Sequence, residues 1–185
     1  MIAKSLYTAP VQFNRLIPEI YVRDYPRSLH FYTDALGFTL EYDRQAPLFG
    51  FLSYHGSQLM IQQKEPTDNH TGPLDYPYGR GINFQIDTPD IATIIESLQR
   101  RGYPLRRGLQ EHWRAIGGNL LSGSREIHVL DPDGYFLRFS QELGSKAPTE
   151  DCHPSGPCLL ATPRARKPHL AENVTLSNGQ AYARV

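Results

Sequence analysis

Seven histidines, two cysteines and a scatter of arginines and carboxylates are the residues of this chain that could do chemistry. Their spacing speaks first about metals. A structural zinc site shows a close Cys-x-x-Cys knuckle; Cys152-His153, Cys158 and His169 are spread too widely, and their grouping reads as coincidence. His30 falls in a helical stretch, His55 in a turn, His70 in a polar connector and His128 between apolar strand positions. A lone strand histidine is ordinarily a hydrogen-bonded structural residue. Arg114 and Arg138 offer different chemistry. A guanidinium is a planar fork that holds an anionic group by two parallel bonds. Either arginine can equally pair with Glu19, Glu111 or Glu126.

The elements that must position these groups come in two similar blocks. Leu16–Val22 reads as a strand with Ile20 and Val22 on one side and Glu19 and Tyr21 on the other. Asp24 opens a helix with Pro26 in its first turn, Phe31/Tyr32 and Ala35/Leu36 form its apolar face, and Gly37 stops it. Three strands are expected at Phe38–Tyr42, Phe49–Tyr54 and Gln58–Gln62, the last two joined by the turn His55-Gly56-Ser57. A Pro- and Gly-rich connector, Lys64–Arg80, follows. The pattern then restarts: a strand at Ile82–Ile86, a cap at Asp87–Asp90, and a helix at Ile91–Arg101 with Ile91, Ile94, Ile95 and Leu98 at spacings of three and four. Leu105–Arg107 is expected as a brief strand, and Glu111-His112-Trp113-Arg114 as part of a loop.

The stretch from Ser124 to Ser140, SREIHVLDPDGYFLRFS, closes the second block as a hairpin turning at Asp131-Pro132-Asp133-Gly134. Tyr135, Leu137 and Phe139 share one face, and Arg138 projects from the other. The blocks repeat at a spacing of about 65 residues. The chain therefore divides into a lead-in (1–14), a domain (15–143) and a tail (144–185) expected to be disordered or draped over the domain. Within the domain, module one is 15–63, the linker 64–80 and module two 81–143.

Composition narrows the function classes. Lys+Arg and Asp+Glu both number 19, so no basic surface argues for nucleic acid and no acidic one for a cationic ligand. No apolar run is long enough to span a membrane. The first residues lack a signal-like apolar core, and two cysteines make no disulfide framework, so a cytoplasmic protein is expected.

Taken in order, Val22-Arg23-Asp24, Ser28-Leu29-His30-Phe31-Tyr32, Leu36-Gly37-Phe38, Gly79-Arg80-Gly81-Ile82-Asn83-Phe84-Gln85-Ile86 and Val129-Leu130-Asp131-Pro132-Asp133-Gly134-Tyr135 resemble the vicinal oxygen chelate superfamily, from about Asn14 to Leu143. This superfamily includes glyoxalase I, extradiol dioxygenases and the fosfomycin- and bleomycin-resistance proteins. The resemblance implies an α+β fold of paired βαβββ modules whose curled sheets form a cleft, often completed by the partner chain of a homodimer.

It also implies where metal ligands would stand. The His of one module falls at Ile17, the His of the other at Gly81, and the Glu of the last strand at Arg138. The extra carboxylate of glyoxalase I falls at Met60 or Gln62. No metal, no cofactor and no catalytic residue is therefore expected.

The opening Pro18-Glu19-Ile20-Tyr21-Val22 is similar to that of the bleomycin-resistance branch, whose members sequester a drug between two subunits. That branch's stacking Phe maps to Phe49, and its stacking Trp to Gly123, with Trp113 ten residues earlier as an aromatic wall in another position. Phe51, Tyr54, Asn83, Gln85, Arg114 and Arg138, with Tyr21, complete the expected binding residues. The expected partner is a small molecule, bleomycin-like or otherwise aromatic. The alternatives are a lyase or dioxygenase with a remodelled site, and an interaction module using the tail.

Overall fold

The computed structural model describes residues 11–66 and 71–148. The tail cysteines and histidines, His70 and most of the lead-in and tail lie outside the described residues. Among the described residues, eight strands form two sheets. The first holds β1 (Glu19–Val22), β2 (Thr39–Gln45), β3 (Leu48–Tyr54) and β4 (Ser57–Gln63) in the order β1-β4-β3-β2. The second holds β5 (Asn83–Asp87), β6 (Leu105–Gly117), β7 (Leu120–Leu130) and β8 (Phe136–Lys146) in the order β5-β8-β7-β6. In each, the first strand pairs parallel to the last and the rest are antiparallel. Two βαβββ modules with one strand order are the α+β fold that the resemblance implied.

Each module carries one helix between its first two strands. The side chain of Asp24 caps α1 (Tyr25–His30) by accepting from the Arg27 N–H. α1 continues into a wider π-type turn, Phe31–Ala35, where the Leu36 N–H reaches the Phe31 carbonyl. Asp90 caps α2 (Ile91–Arg100) in the same way, through Ala92 and Thr93. Its carboxylate sits below its ordinary pKa because Thr93 and Ala92 donate to it. The helices bury Phe31, Tyr32, Ile94 and Leu98 against one face of each sheet, where Ile61, Val129, Leu137 and Phe139 meet them in one continuous core. No helix among the described residues is long and apolar enough to cross a membrane.

Two expectations are corrected. The first strand starts at Glu19, not Leu16; Pro18 has no N–H to offer a ladder, and only its carbonyl is used, by the Met60 N–H. The brief strand and loop expected at 105–114 are one strand, β6, of 13 residues, paired with β7 through to Leu120. Its sequence hides this because none of its residues is buried and most are exposed. β8 likewise runs on to Lys146.

The Asp131–Gly134 turn clasps the two modules. Asp133 accepts from Arg23 Nε at 2.7 Å and from the Ser28 hydroxyl at 3.2 Å, both beside the start of α1. The Tyr32 hydroxyl donates to Asp131 at 2.9 Å, and the Tyr135 hydroxyl to the Tyr21 carbonyl at 3.2 Å. Gly134 takes φ +86° here, a conformation an L side chain rarely adopts. The opposite contact is Tyr54, at the end of β3, whose hydroxyl shares a 2.8 Å hydrogen bond with Thr88 just before α2.

Candidate functional site

The side of the second sheet turned away from the core is polar, and strand alternation decides what stands on it. While Ile86, Leu137 and Val129 enter the core, Asn83 and Gln85 on β5, Phe136, Arg138 and Ser140 on β8, and Ser124, Glu126 and His128 on β7 take the other face. Register sets Gln85 beside Arg138 and Arg138 beside His128. Arg138 Nη2 donates to Gln85 Oε1 at 2.6 Å, and Gln85 Nε2 donates to Asp87 at 3.4 Å.

A groove of about 520 Å³ opens at one end of this face, lined by Gln85, Asp87, Arg114, Ser124, Glu126 and Ser140 among others. Glu126 is 3% exposed. Burial alone would raise its pKa, but hydrogen bonds from Arg114 Nη1 at 2.7 Å and the Ser124 hydroxyl at 3.0 Å hold it below the ordinary value. His112 Nε2 lies 3.9 Å from the same carboxylate. Of the three acids that could have paired with Arg114, it is Glu126, on the same face, that does so.

Trp113 is not on this side. It neighbours Arg114 on β6 and so points to the opposite face. Its ring lies over Gly123, where an added Cβ would come within 2.6 Å of it. Lys146 Nζ sits 3.7 Å above the ring, and the indole N–H donates to Glu111 at 2.9 Å. Trp113 thus fills, from the neighbouring strand, the space beside the position where the resemblance expected a tryptophan.

On the first sheet, Phe49 and Phe51 also face away from the core, but they are not open. Phe49 is 1% and Phe51 0% exposed. The Arg44 guanidinium lies 3.8 Å above the Phe49 ring, Tyr42 stacks on Phe51 at 5.2 Å and 9°, and Phe13 meets Phe51 edge-on. Tyr54, one strand position out of step with them, turns to the core, stacking on Phe38 at 5.0 Å. The structure therefore brings Asn83, Gln85, Arg114 and Arg138 to one face, puts Phe49 and Phe51 on the other sheet, and sets Tyr54 and Trp113 apart from both. The sequence reading missed Arg44, Phe136 and the depth of Glu126; continuing β2 past Tyr42 in period two would have found Arg44.

The positions where metal-using members hold their ligands do not fit a dication. Ile17 precedes β1, and Gly81 lies in an exposed turn at φ +84°. Met60 and Gln62 pair with Phe51 and Phe49. Arg138 brings a positive charge where a carboxylate is needed. No group of three or more His, Cys, Asp or Glu able to hold a metal ion occurs among the described residues.

The family model for the Glyoxalase/Bleomycin resistance protein/Dioxygenase superfamily matches residues 12–139. No curated protein matches the chain. Among solved structures, virulence protein STM3117 from Salmonella typhimurium is 20% identical with a TM-score of 0.52, over 71% of this chain and 98% of that one. TioX from Micromonospora sp. ML1 is 17% identical with a TM-score of 0.53, over 71% and 100%. A glyoxalase/bleomycin resistance protein/dioxygenase from Nocardioides is 21% identical with a TM-score of 0.51, over 76% and 91%. At such identities these likenesses speak to the fold alone.

Proposed function

Because the chain belongs to the glyoxalase/bleomycin resistance protein/dioxygenase superfamily, we propose that it is a metal-independent binder of small aromatic molecules, of the bleomycin-resistance type. In this reading it sequesters its ligand in clefts that a homodimer completes, and it turns nothing over. One observation carries the reading: a guanidinium, Arg138, stands in place of the last-strand carboxylate and is held by the neutral Gln85. Such a face offers a donor to an acceptor-bearing ligand and no carboxylate to a bare metal ion.

The binding work divides by chemistry. Gln85, Asn83 and Arg138 orient polar groups of the ligand, since each presents hydrogen-bonding atoms from a rigid strand. Apolar rings such as Phe136 supply contact area. Phe49 and Phe51 take part only if Arg44 and Tyr42 move off them, so the first sheet contributes after rearrangement rather than as a preformed wall.

The test is calorimetric titration of the full chain with copper-loaded bleomycin after chelator treatment and dialysis, with metal analysis of the protein as isolated. Saturable binding by metal-free protein is the expected result. Stoichiometric metal in the isolated protein, with a chemical activity that chelation abolishes, would instead establish the lyase or dioxygenase alternative.

A further inference from the structure

We propose that the outward face of the second sheet carries a recognition site for an aryl carboxylate, with Arg138 as its anion-binding group and Phe136 as its ring-stacking group. The proposal rests on the binding reading above and gives it a ligand class. Its starting point is the different state of the two arginines on this face. Arg114 is already engaged by a buried carboxylate, Glu126, at 2.7 Å. Arg138 has no carboxylate partner among the described residues: its one hydrogen bond goes to the amide oxygen of Gln85, and its Nε–H lies out of solvent with no acceptor. A guanidinium prefers to satisfy its fork with an anion, and an orphaned buried donor is unfavourable.

The surroundings favour the same class. His128 stands directly beside Arg138 in register. Burial, then the charges of Arg107 and Arg138, lower its pKa and so disfavour a further cation beside Arg138. Glu126, two positions along β7, pulls the other way but is itself tied to Arg114.

Next to the cation lies a slot for a ring. Phe136 precedes Arg138 by two residues on the same face, about 7 Å along the strand. Its ring meets His128 edge-on at 4.9 Å, and Arg106 stands 5.8 Å from its centre. Phe136 lines a hollow of about 360 Å³ with Leu130, Asn83 and Arg106. Arg80 also lines this hollow and Arg138 stands just beyond it, two strand positions from Phe136, so a flat ring stacked there needs to extend its carboxylate along β8 to meet the Arg138 fork. A bicyclic aryl carboxylate has the right length.

The experiment compares 2-naphthoate with its uncharged analogue 2-naphthamide, by calorimetry on the full, metal-free chain and on Arg138→Gln and Arg138→Lys. The expected result is that naphthoate binds wild type about tenfold or more tighter than naphthamide. Arg138→Gln removes that preference, and Arg138→Lys restores part of it. Equal affinity of the two probes for wild type would overturn the anion site while leaving the aromatic binder standing. Naphthoate preference surviving in a folded Arg138→Gln, or no saturation at millimolar naphthoate, would overturn it too. Naphthoate binding that appears only when a divalent metal is added back would overturn the metal-independent reading as well. If Arg138→Gln does not fold, the probe pair on wild type decides alone.

Discussion

Asp131 lies under the closing turn at 3% exposure, accepting from the Asp133 and Tyr135 N–H groups and the Tyr32 hydroxyl. Burial outweighs those bonds and raises its pKa to about 6. An unfolded Asp titrates near 4, so between about pH 4 and 6 the unfolded chain sheds a proton that the native state keeps. Stability from this group is therefore greatest below pH 4 and falls by on the order of 2–3 kcal/mol as pH rises to about 6. Asp131→Asn, which keeps an acceptor, should flatten that part of the profile; urea midpoints that run parallel for both proteins would refute the assignment. Arg114→Gln tests the neighbouring buried carboxylate. It should cost about 1–3 kcal/mol in urea unfolding by taking the guanidinium from Glu126 and leaving it the Ser124 hydroxyl as its hydrogen-bond donor, and Glu126→Gln in the same chain should recover most of it. Arg138's facing was legible in the alternation from Tyr135 to Phe139. Arg114's partner was not, because Glu19, Glu111 and Glu126 are equivalent until strand register separates them.

Strand β6 shows what sequence pattern cannot carry. Period-two alternation is visible only where one face meets a core, and the outer part of β6 meets none. Its pairing is irregular on both sides of Arg107, and beyond that point the sequence reads as a loop, which assigns no faces at all. That is why Trp113 and Arg114 read as one cluster and stand on opposite sides. The elements with a buried face, from β1 through β5 and both helices, were legible to within a few residues for the converse reason. The geometry of the β6–β7 hairpin gives a direct check. Gly123→Val would force the Trp113 ring off its neighbour, since even a Cβ meets it at 2.6 Å. As Trp113 is the sole tryptophan, its emission should shift to the red with the core unaffected. An unchanged spectrum would mean the ring does not rest there.

At the level of the whole molecule, the duplicated order β1-β4-β3-β2 and β5-β8-β7-β6 makes the modules near-equivalents. Their contacts are reciprocal: the last hairpin of module two binds beside the start of α1 through Asp133, and the end of β3 in module one binds beside the start of α2 through Tyr54. The core runs through both without a seam. Ring contacts cross between the halves, Phe31 against Tyr103 and Tyr54 against Phe139, so the modules should unfold in one transition. The clasp carries a consequence for how the chain can be made. Separated within the Pro- and Gly-rich connector and produced as two polypeptides, the halves should aggregate apart and reconstitute a folded heterodimer when co-expressed, a complementation that Asp133→Ala and Tyr54→Phe together should weaken. Their joining by one chain then serves chiefly to raise the concentration of each half at the other.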